Sequence, residues 1–492
     1  MSERKEKENK ANANDNSDYL KGFKAGLEIH QQLDTGKLFC KCPSYLRQDE
    51  PHFLVKRKLH AVAGDTGEID SAVLHEASLD REFVYQGYKD TTCLVELDES
   101  PPYLINSEAL DETLKIALLL NCEIYPVSQI MRKTVIDGSN TSGFQRTVLI
   151  GHNGFIETSF GKVTIESVAL EEDSARIVSK SKIVVYRLDR LGIPLVEIGT
   201  APVINKPEQI KETALKLGEI LRACRVKRGI GTIRQDINMS IKGHDRVEIK
   251  GFQEPSIMIL TANKEIERQL KELQNGKKNG EVRNALPNGE TEFLRPMPGM
   301  ARMYPETDLP LLKIGREKIN EIKKKLPKLK HEIKSELKKK GLSDELINLV
   351  LDGNLDEFET LLRVYPKEPE LVAKMVTLWR QEIASKLNIS FEAVNNKIDE
   401  QTLEKLLELV RENKLDKGML RGIFNDIMQG ILLEDAIKKE KLGDDKLEEE
   451  ISKIVSEKPG LRTNAYMGLV ISKLGKDIDK RKAMEILNRI VK

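Results

Sequence analysis

Glu28 and His30, a carboxylate and an imidazole two residues apart, are the pair in this sequence best suited to chemistry. They lie in a run in which polar and apolar residues alternate, with Leu27 and Ile29 as their apolar neighbours. Successive side chains of a β-strand point to opposite faces. The run therefore predicts a strand with Leu27 and Ile29 in a core and with Glu28 and His30 together on the other face. That pairing is suited to binding a metal ion or a phosphate-bearing substrate.

Two later segments, 233–241 and 247–250, repeat this alternation. The apolar side of the first contains Ile237 and Met239 and is interrupted only by Gln235. The polar side of the two segments carries four charged residues: Arg234, Asp236, Glu248 and Lys250. Three strands, each with one apolar and one charged side, predict a single sheet whose exposed face is an active site.

Composition limits the class of protein. The chain has 492 residues, of which 80 are basic and 79 acidic, so its net charge gives no evidence for nucleic-acid binding and an RNA surface would require local segregation of charge. Five cysteines in so long a chain do not form a disulfide framework. Because the sequence shows no signal peptide and no apolar run of membrane-spanning length, we expect a cytoplasmic protein that does not enter a membrane.

The length predicts several domains. Residues 1–18 have almost no apolar side chains and predict a disordered tail. Residues 19–314 mix helices and strands without strict alternation, which predicts an α+β domain on a largely antiparallel sheet. Within it, 275–290 predicts a short exposed connection, and helices are predicted at 107–120, 206–222 and 264–273. Helical periodicity then predicts an all-α domain over 315–415 and a small helical tail domain over 416–492.

The segment 137–146 is a Gly/Ser/Thr loop that follows Lys133. Backbone amides and hydroxyls in such a loop can bind phosphate. An ordinary turn is the alternative interpretation, since the loop is neither a Walker A sequence nor a dinucleotide fingerprint.

Three consecutive acids, Glu171, Glu172 and Asp173, follow a strand-like run. Taken alone they are typical of a solvated surface. Beside the other acids they could complete an oxygen-rich site for Mg²⁺ that bridges phosphate oxygens.

Cys40 and Cys42 have the wrong spacing for a standard zinc knuckle, although Cys93 could supply a third ligand. A zinc site and a group of small buried cysteines both remain open interpretations.

Eight segments carry a resemblance to the archaeal family of glutamyl-tRNA(Gln) amidotransferase E-type subunits, which are sisters of the bacterial B-type subunits. These segments are 26–33, 37–44, 136–147, 170–173, 186–198, 231–238, 246–251 and 302–310. The resemblance covers about 20–310 and, more loosely, the helical remainder.

The resemblance implies a carbon–nitrogen ligase. Members of the family use ATP and Mg²⁺ to phosphorylate the glutamate side chain of Glu-tRNA(Gln), and ammonia then displaces the phosphate. The ammonia comes from an asparaginase-like D-type subunit of the amidotransferase, and two D-type and two E-type subunits form a heterotetramer. The helical domains hold the tRNA. The family usually carries an additional domain before the Arg-Pro-Met-Pro-Gly segment, and only 275–290 occupies that position here.

We assign roles to residues on this basis. The predicted magnesium ligands are Glu28, His30, Glu172, Asp236 and Glu248. The predicted contacts to nucleotide phosphates are Lys133, Ser139, Thr141 and Ser142. Arg234 and Lys250, together with Glu28 and His30, are the predicted catalytic residues, because phosphoryl transfer depends on positioning and charge neutralisation. A catalytically inactive tRNA-binding scaffold and a metal-dependent amidohydrolase acting alone are the alternative functions.

Overall fold

The computed structural model describes residues 22–63, 67–180, 183–252, 255–297, 303–474 and 480–491. The tail predicted for 1–18 lies outside these residues. The chain divides into two compact units, Met1–Leu329 and Lys330–Lys492. We call the first the cradle unit and the second the helical unit, and each is described by itself.

The cradle unit contains the strands that the structure describes. Their bounds are β1 Lys24–Gln32, β2 Phe53–Arg57, β3 Glu82–Gly87, β4 Glu123–Ile124, β5 Val127–Ser128, β6 Met131–Thr134, β7 Phe144–Thr158, β8 Gly161–Glu172, β9 Arg176–Lys180, β10 Ile183–Arg187, β11 Pro194–Thr200, β12 Ile233–Ser240, β13 Val247–Phe252, β14 Glu281–Ala285, β15 Thr291–Pro296, β16 Met303–Pro305 and β17 Leu312–Lys313.

Eleven of these strands form one sheet, in the order β15-β14-β13-β12-β1-β11-β8-β7-β6-β16 with β4 beside β7. All neighbouring strands in it are antiparallel except β13 and β14. The prediction of an α+β fold on a largely antiparallel sheet is therefore confirmed.

All of the described helices of the cradle unit except the first cover the apolar face of this sheet, whereas the first contacts β15. Their bounds are α1 Ser71–Ser78, α2 Ser107–Leu119, α3 Pro207–Ala223, α4 Pro255–Gln274 and α5 Arg316–Lys324. α3 packs on β1 and β7, and α4 packs on β12 and β13. Leu27, Ile29, Ile237 and Ile249 are fully buried beneath these helices, as the alternation in their strands predicts. The opposite face of β1, β12 and β13 is free to form a site.

A second sheet supports the Gly/Ser/Thr loop. It has the strand order β2-β3-β10-β9 and a small core that includes Phe83, Tyr85 and Tyr186. The Tyr85 hydroxyl donates to the carbonyl of Gly138 at 2.8 Å, and the Tyr186 hydroxyl donates to that of Asp137 at 2.9 Å. These bonds fix the start of the loop from outside it.

The structure differs from the prediction at two places in the cradle unit, the connection 275–290 and the end of the domain at 314. The segment 275–290 contains β14, which pairs in parallel with β13 and buries Val282 completely. A five-residue strand with a single buried side chain, flanked by Asn, Gly and Lys, has too little apolar pattern to be recognised in a sequence. At the other end, Ile322 of α5 belongs to the core of the cradle unit, which therefore continues beyond 314.

The helical unit contains the remaining described helices. Their bounds are α6 Lys330–Lys339, α7 Asp344–Leu351, α8 Leu355–Val364, α9 Pro369–Val376, α10 Leu378–Leu387, α11 Phe391–Lys397, α12 Glu400–Arg411, α13 Leu420–Met428, α14 Leu433–Glu457, α15 Thr463–Leu474 and α16 Lys480–Ile490. None of the helices in the described ranges is long and apolar enough to cross a membrane.

Two hydrophobic clusters organise the helical unit. The first extends from Leu337 to Ile437 and includes α13. The second extends from Ile451 to Leu487 and joins α14, α15 and α16. The two clusters therefore meet within α14 rather than near 415, where the sequence predicts the boundary between the helical domains.

Candidate active site

Strand register brings the predicted acids together on the uncovered face of the large sheet. Glu28 of β1 lies opposite Asp236 of β12, and Asn238 of β12 lies opposite Glu248 of β13. Because the side-chain period of a strand is two, these carboxylates point to the same side. They line a cleft with a volume of about 610 Å³. Its carboxylates include Glu28, Glu171, Glu197, Asp236 and Glu248.

His30 lies at the centre of an acidic cluster in this cleft. Its Nε2 atom is 3.4 Å from Glu28 Oε1, 3.3 Å from Glu197 Oε2 and 3.9 Å from Glu171 Oε1. Two overlapping sets, Glu28–His30–Asp236 and His30–Glu171–Glu197, each have ligand atoms within 4.8 Å of one another. The spacing suits a shared cation, and carboxylate oxygens are the ligands that Mg²⁺ prefers.

The protonation of this cluster reflects its excess of carboxylates. Burial raises the pKa of Glu28 and Glu171. Burial would lower the pKa of His30, but its hydrogen bond to Glu197 and the surrounding carboxylates outweigh that effect and raise the pKa to about 9. His30 is therefore protonated at neutral pH when no cation is bound, and a divalent cation that binds among these carboxylates replaces that proton.

The predicted cationic residues of the cleft are engaged with acids. Lys133 Nζ lies 2.9 Å from Glu171 Oε2 and 3.4 Å from Glu197 Oε2. Lys250 bonds to Asp236 at 2.8 Å and also contacts Glu248. These ion pairs hold the carboxylates at fixed positions, so both lysines orient the acidic cluster.

Arg234 is engaged in the same way. Its Nη2 atom lies 2.9 Å from Oδ1 of Asp173, a buried carboxylate that also accepts a hydrogen bond from Gln32 at 2.5 Å. Arg234 lines the cleft, and this ion pair fixes its orientation there.

Three predicted site residues do not line the cleft. Glu172 lies 3.4 Å from Arg146 Nη1, and Thr141 and Ser142 line the same small second cavity as Glu172. The Thr141 hydroxyl donates to the carbonyl of Glu96, and the Ser142 hydroxyl donates to that of Phe144. The cleft takes Glu171 in place of Glu172, because consecutive residues of β8 point to opposite faces. Of the three predicted hydroxyl groups, it takes only that of Ser139.

Sequence reasoning missed Glu197, Arg246 and Arg295, which all line the cleft. The signal for Glu197 was present, since it is the one charged residue in the apolar strand β11. Arg246 and Arg295 carry no such signal, because they lie next to a turn and on a short strand near the sheet edge.

The structure also brings the three predicted cysteines together. Cys40, Cys42, Cys93 and Glu96 have ligand atoms within 4.8 Å of one another. Lys37, which is fully buried, donates to Glu96 Oε1 at 2.8 Å. Three thiols and a carboxylate match the donor types and number of a tetrahedral zinc site.

The sequence that forms the cleft has counterparts in known proteins. The sequence profile of the GatB/GatE catalytic domain matches residues 23–320, which include the strands and loops of the cleft described above. The chain therefore belongs to the GatB/GatE family of amidotransferase enzymes.

Individual relatives are similar over most of their length. The E subunit of glutamyl-tRNA(Gln) amidotransferase from Methanocaldococcus jannaschii is 35% identical over 96% of this chain and 98% of that protein. The proteins of the same name from Methanothermobacter thermautotrophicus and Pyrobaculum islandicum are 33% and 32% identical, over 88% and 89% of this chain and 91% and 93% of those proteins. The chain is thus similar to the archaeal E-type subunits in particular.

The first of these relatives is longer than the present chain. The alignment with the Methanocaldococcus jannaschii protein spans 627 positions, whereas the chain has 492 residues. That relative therefore carries residues without a counterpart here, as expected if this chain lacks the additional domain of the family.

Proposed function

We propose that this chain converts Glu-tRNA(Gln) to Gln-tRNA(Gln) in two steps in the cleft. First, an oxygen of the glutamate side-chain carboxylate attacks the γ-phosphorus of ATP, and ADP leaves. Ammonia then attacks the activated carbonyl carbon, the bond to phosphate breaks, and an amide and inorganic phosphate are formed. The observation that carries this proposal is the convergence of His30 and five carboxylates from strands of the large sheet in one cleft of a chain that belongs to the GatB/GatE family.

The need for activation follows from elementary chemistry. A carboxylate does not react with ammonia at neutral pH, because the oxygen it would have to expel is a poor leaving group. Phosphorylation supplies a leaving group, and phosphoryl transfer requires mainly alignment and neutralisation of negative charge. Lys133 and Lys250 support this function because they hold the acids of the cleft in place.

The donor set fits magnesium ions. Glu28, His30, Glu171, Glu197 and Asp236 supply the ligand atoms that lie close together, and Glu248 lines the same cleft. Bound there, Mg²⁺ would neutralise charge on the phosphate oxygens of the nucleotide. The protein's own contribution is to hold these carboxylates in fixed positions through Lys133, Lys250 and the backbone of β1.

Two further parts of the assembly belong to the proposal. The helical unit holds the tRNA, and ammonia is supplied by an asparaginase-like D-type subunit in a heterotetramer of two D-type and two E-type subunits. These assignments are supported by the similarity to archaeal E-type subunits over most of the chain. The glutamate carried by the tRNA enters the cleft, and the body of the RNA is bound elsewhere.

The decisive experiment supplies ammonia without the partner. The chain is mixed with ATP, Mg²⁺, an ammonium salt and Glu-tRNA(Gln), and both ADP and Gln-tRNA(Gln) are measured. We expect ADP release that depends on the aminoacylated tRNA and equals amide formation. Uncharged tRNA(Gln) is the matched control. ATP-independent amide formation, or no ADP release above that control, would contradict the proposal.

A further inference from the structure

Most cations of the cleft are neutralised by acids within the protein. Lys133, Lys250 and Arg234 each form an ion pair with at least one carboxylate at 2.9 Å or less. Their charge is used to position side chains, so it is only partly available to a negatively charged substrate. A triphosphate brings several negative charges, and the acidic cluster would repel them in the absence of further cations.

Arg246 and Arg295 differ from these three cations in their lack of a carboxylate partner among the described residues. Arg246 precedes β13, Arg295 lies on β15, and both line the cleft. Arg246 has one polar contact from its side chain, at 3.6 Å to the sulfur of Met297. Among the residues that the structure describes, no carboxylate lies within ion-pair distance of either guanidinium.

One acid of the cleft, Glu248, is influenced by these charges without an ion pair to either arginine. Both arginines act electrostatically on Glu248, but its carboxylate is already in direct contact with Lys250. Two guanidinium groups without ion-pair partners among the described residues of one cleft are a strong anion site, because their planar donors match the oxygens of a phosphate.

The strand order sets the distance across the sheet between these arginines and the acidic cluster. β13 is separated from β1 by β12 alone, and β14 and β15 follow on the far side. At about 4.8 Å per strand, the backbones of β13 and β1 are about 10 Å apart. A ligand over the sheet can therefore reach Glu28 and His30 at one end and the two arginines at the other.

We propose, on the basis of the function proposed above, that Arg246 and Arg295 bind the α- and β-phosphates of ATP while its γ-phosphate lies over the acidic cluster. The pair then holds the part of the nucleotide that leaves as ADP and neutralises the charge that develops on it during phosphoryl transfer. This assignment replaces the hydroxyls of Thr141 and Ser142, which are engaged outside the cleft.

Phosphates of the tRNA would satisfy the same chemistry. The nucleotide is favoured because both arginines line the cleft that contains the acidic cluster, where the phosphoryl donor must be in contact with the reacting carboxylate. The two sources differ in what they predict for binding, so one set of variants distinguishes them.

The test compares Arg295→Ala, Arg246→Ala and Arg295→Lys in the full chain. Lys264→Ala is the matched control, because it removes a positive charge that contacts the β14–β15 turn through the carbonyl of Asn288 and does not line the cleft. Affinities for MgATP, MgADP and adenosine are measured by calorimetry, and affinity for tRNA(Gln) by filter binding. Thermal melting of each variant verifies that it is folded.

We expect each alanine variant to bind MgATP and MgADP about tenfold more weakly or worse, with adenosine and tRNA(Gln) unaffected. Arg295→Lys should restore part of the affinity, and Lys264→Ala should behave as the parent. Unchanged nucleotide affinity in both alanine variants, or a loss confined to tRNA(Gln), would overturn the inference while leaving the proposed function intact. If the parent chain itself fails to bind MgATP, the proposed function fails as well.

Discussion

Glu171 and Glu172 are consecutive residues of β8, yet their carboxylates belong to different sites. Glu171 lies 2.9 Å from Lys133 in the cleft, and Glu172 lies 3.4 Å from Arg146 outside it. Arg146 also bonds to the buried Glu306 at 2.7 Å, so Glu172 is part of a buried ion-pair network. Glu171 therefore lies in the cleft of the proposed reaction, and its neighbour lies in a buried ion-pair network.

This relationship predicts different effects for substitutions at the two positions. Glu171→Gln should lower the rate of ADP release by orders of magnitude, because it removes a charge from the acidic cluster. Its loss of stability should be small, because Lys133 keeps its ion pair with Glu197. Glu172→Ala should lower the free energy of unfolding by at most about 3 kcal/mol, the usual cost of breaking a buried pair, because Arg146 keeps its bond to Glu306. Turnover of the folded fraction should be unchanged. Denaturant melts and single-turnover assays measure both. Equal catalytic losses in the two variants would contradict the assignment.

The sequence predicts this site well where the information is local. Alternation in β1, β12 and β13 indicates both the core residues and the acids of the cleft, because the two faces of a strand follow from its period alone. The same rule places the paired acids of β8 on opposite faces, but it does not tell which of them is in the cleft. That choice depends on which face of β8 continues the uncovered face of β1, a non-local property of strand order.

The Gly/Ser/Thr loop at 137–146 shows a second limit of prediction from the sequence. Ser139 lines the cleft, whereas Thr141 and Ser142 do not. The conformation of the loop depends on hydrogen bonds from Tyr85 and Tyr186, which come from a separate sheet. No pattern within the loop encodes these contacts, so the sequence predicts its composition but not which hydroxyls enter the site.

Glu28→Gln and Asp236→Asn should each reduce the chemical step by orders of magnitude and spare tRNA affinity. Both carboxylates share a set of ligand atoms with His30, and each amide keeps the side-chain volume while removing the charge. The division of labour between the cleft and the helical unit requires this separation. Rapid-quench measurement of ADP and filter binding of tRNA(Gln) provide the two readouts.

A variant without catalytic loss would point to a different protein function. If Glu28→Ala retains full Glu-tRNA(Gln)-dependent ADP release, the acidic cluster is not the reaction centre. If the parent chain binds tRNA(Gln) and turns over no nucleotide, a tRNA-binding scaffold is the better description.

The cysteine cluster predicts one zinc ion per chain, bound by Cys40, Cys42, Cys93 and Glu96. Cys93→Ser should abolish zinc binding and lower the melting temperature, since the metal joins two segments of the chain that are distant in sequence. Zinc content by elemental analysis and thermal melting with and without a chelator test this. Cys122→Ser, at a buried cysteine outside the cluster, is the control. Absence of zinc from protein purified with added metal would leave the cluster as packed thiols.

Truncation after residue 446 separates tRNA binding from chemistry. It removes the second hydrophobic cluster of the helical unit, Ile451 to Leu487, and leaves the first cluster through Ile437. If the removed helices contact RNA phosphates, affinity for tRNA(Gln) should fall and its dependence on salt should become shallower, because fewer counterions are released on binding. Affinity for MgATP should not change, since the proposed nucleotide site lies in the cradle unit. An unchanged salt slope would show that the tRNA is held by other surfaces, and a parallel loss of nucleotide affinity would show that the two functions are not separable.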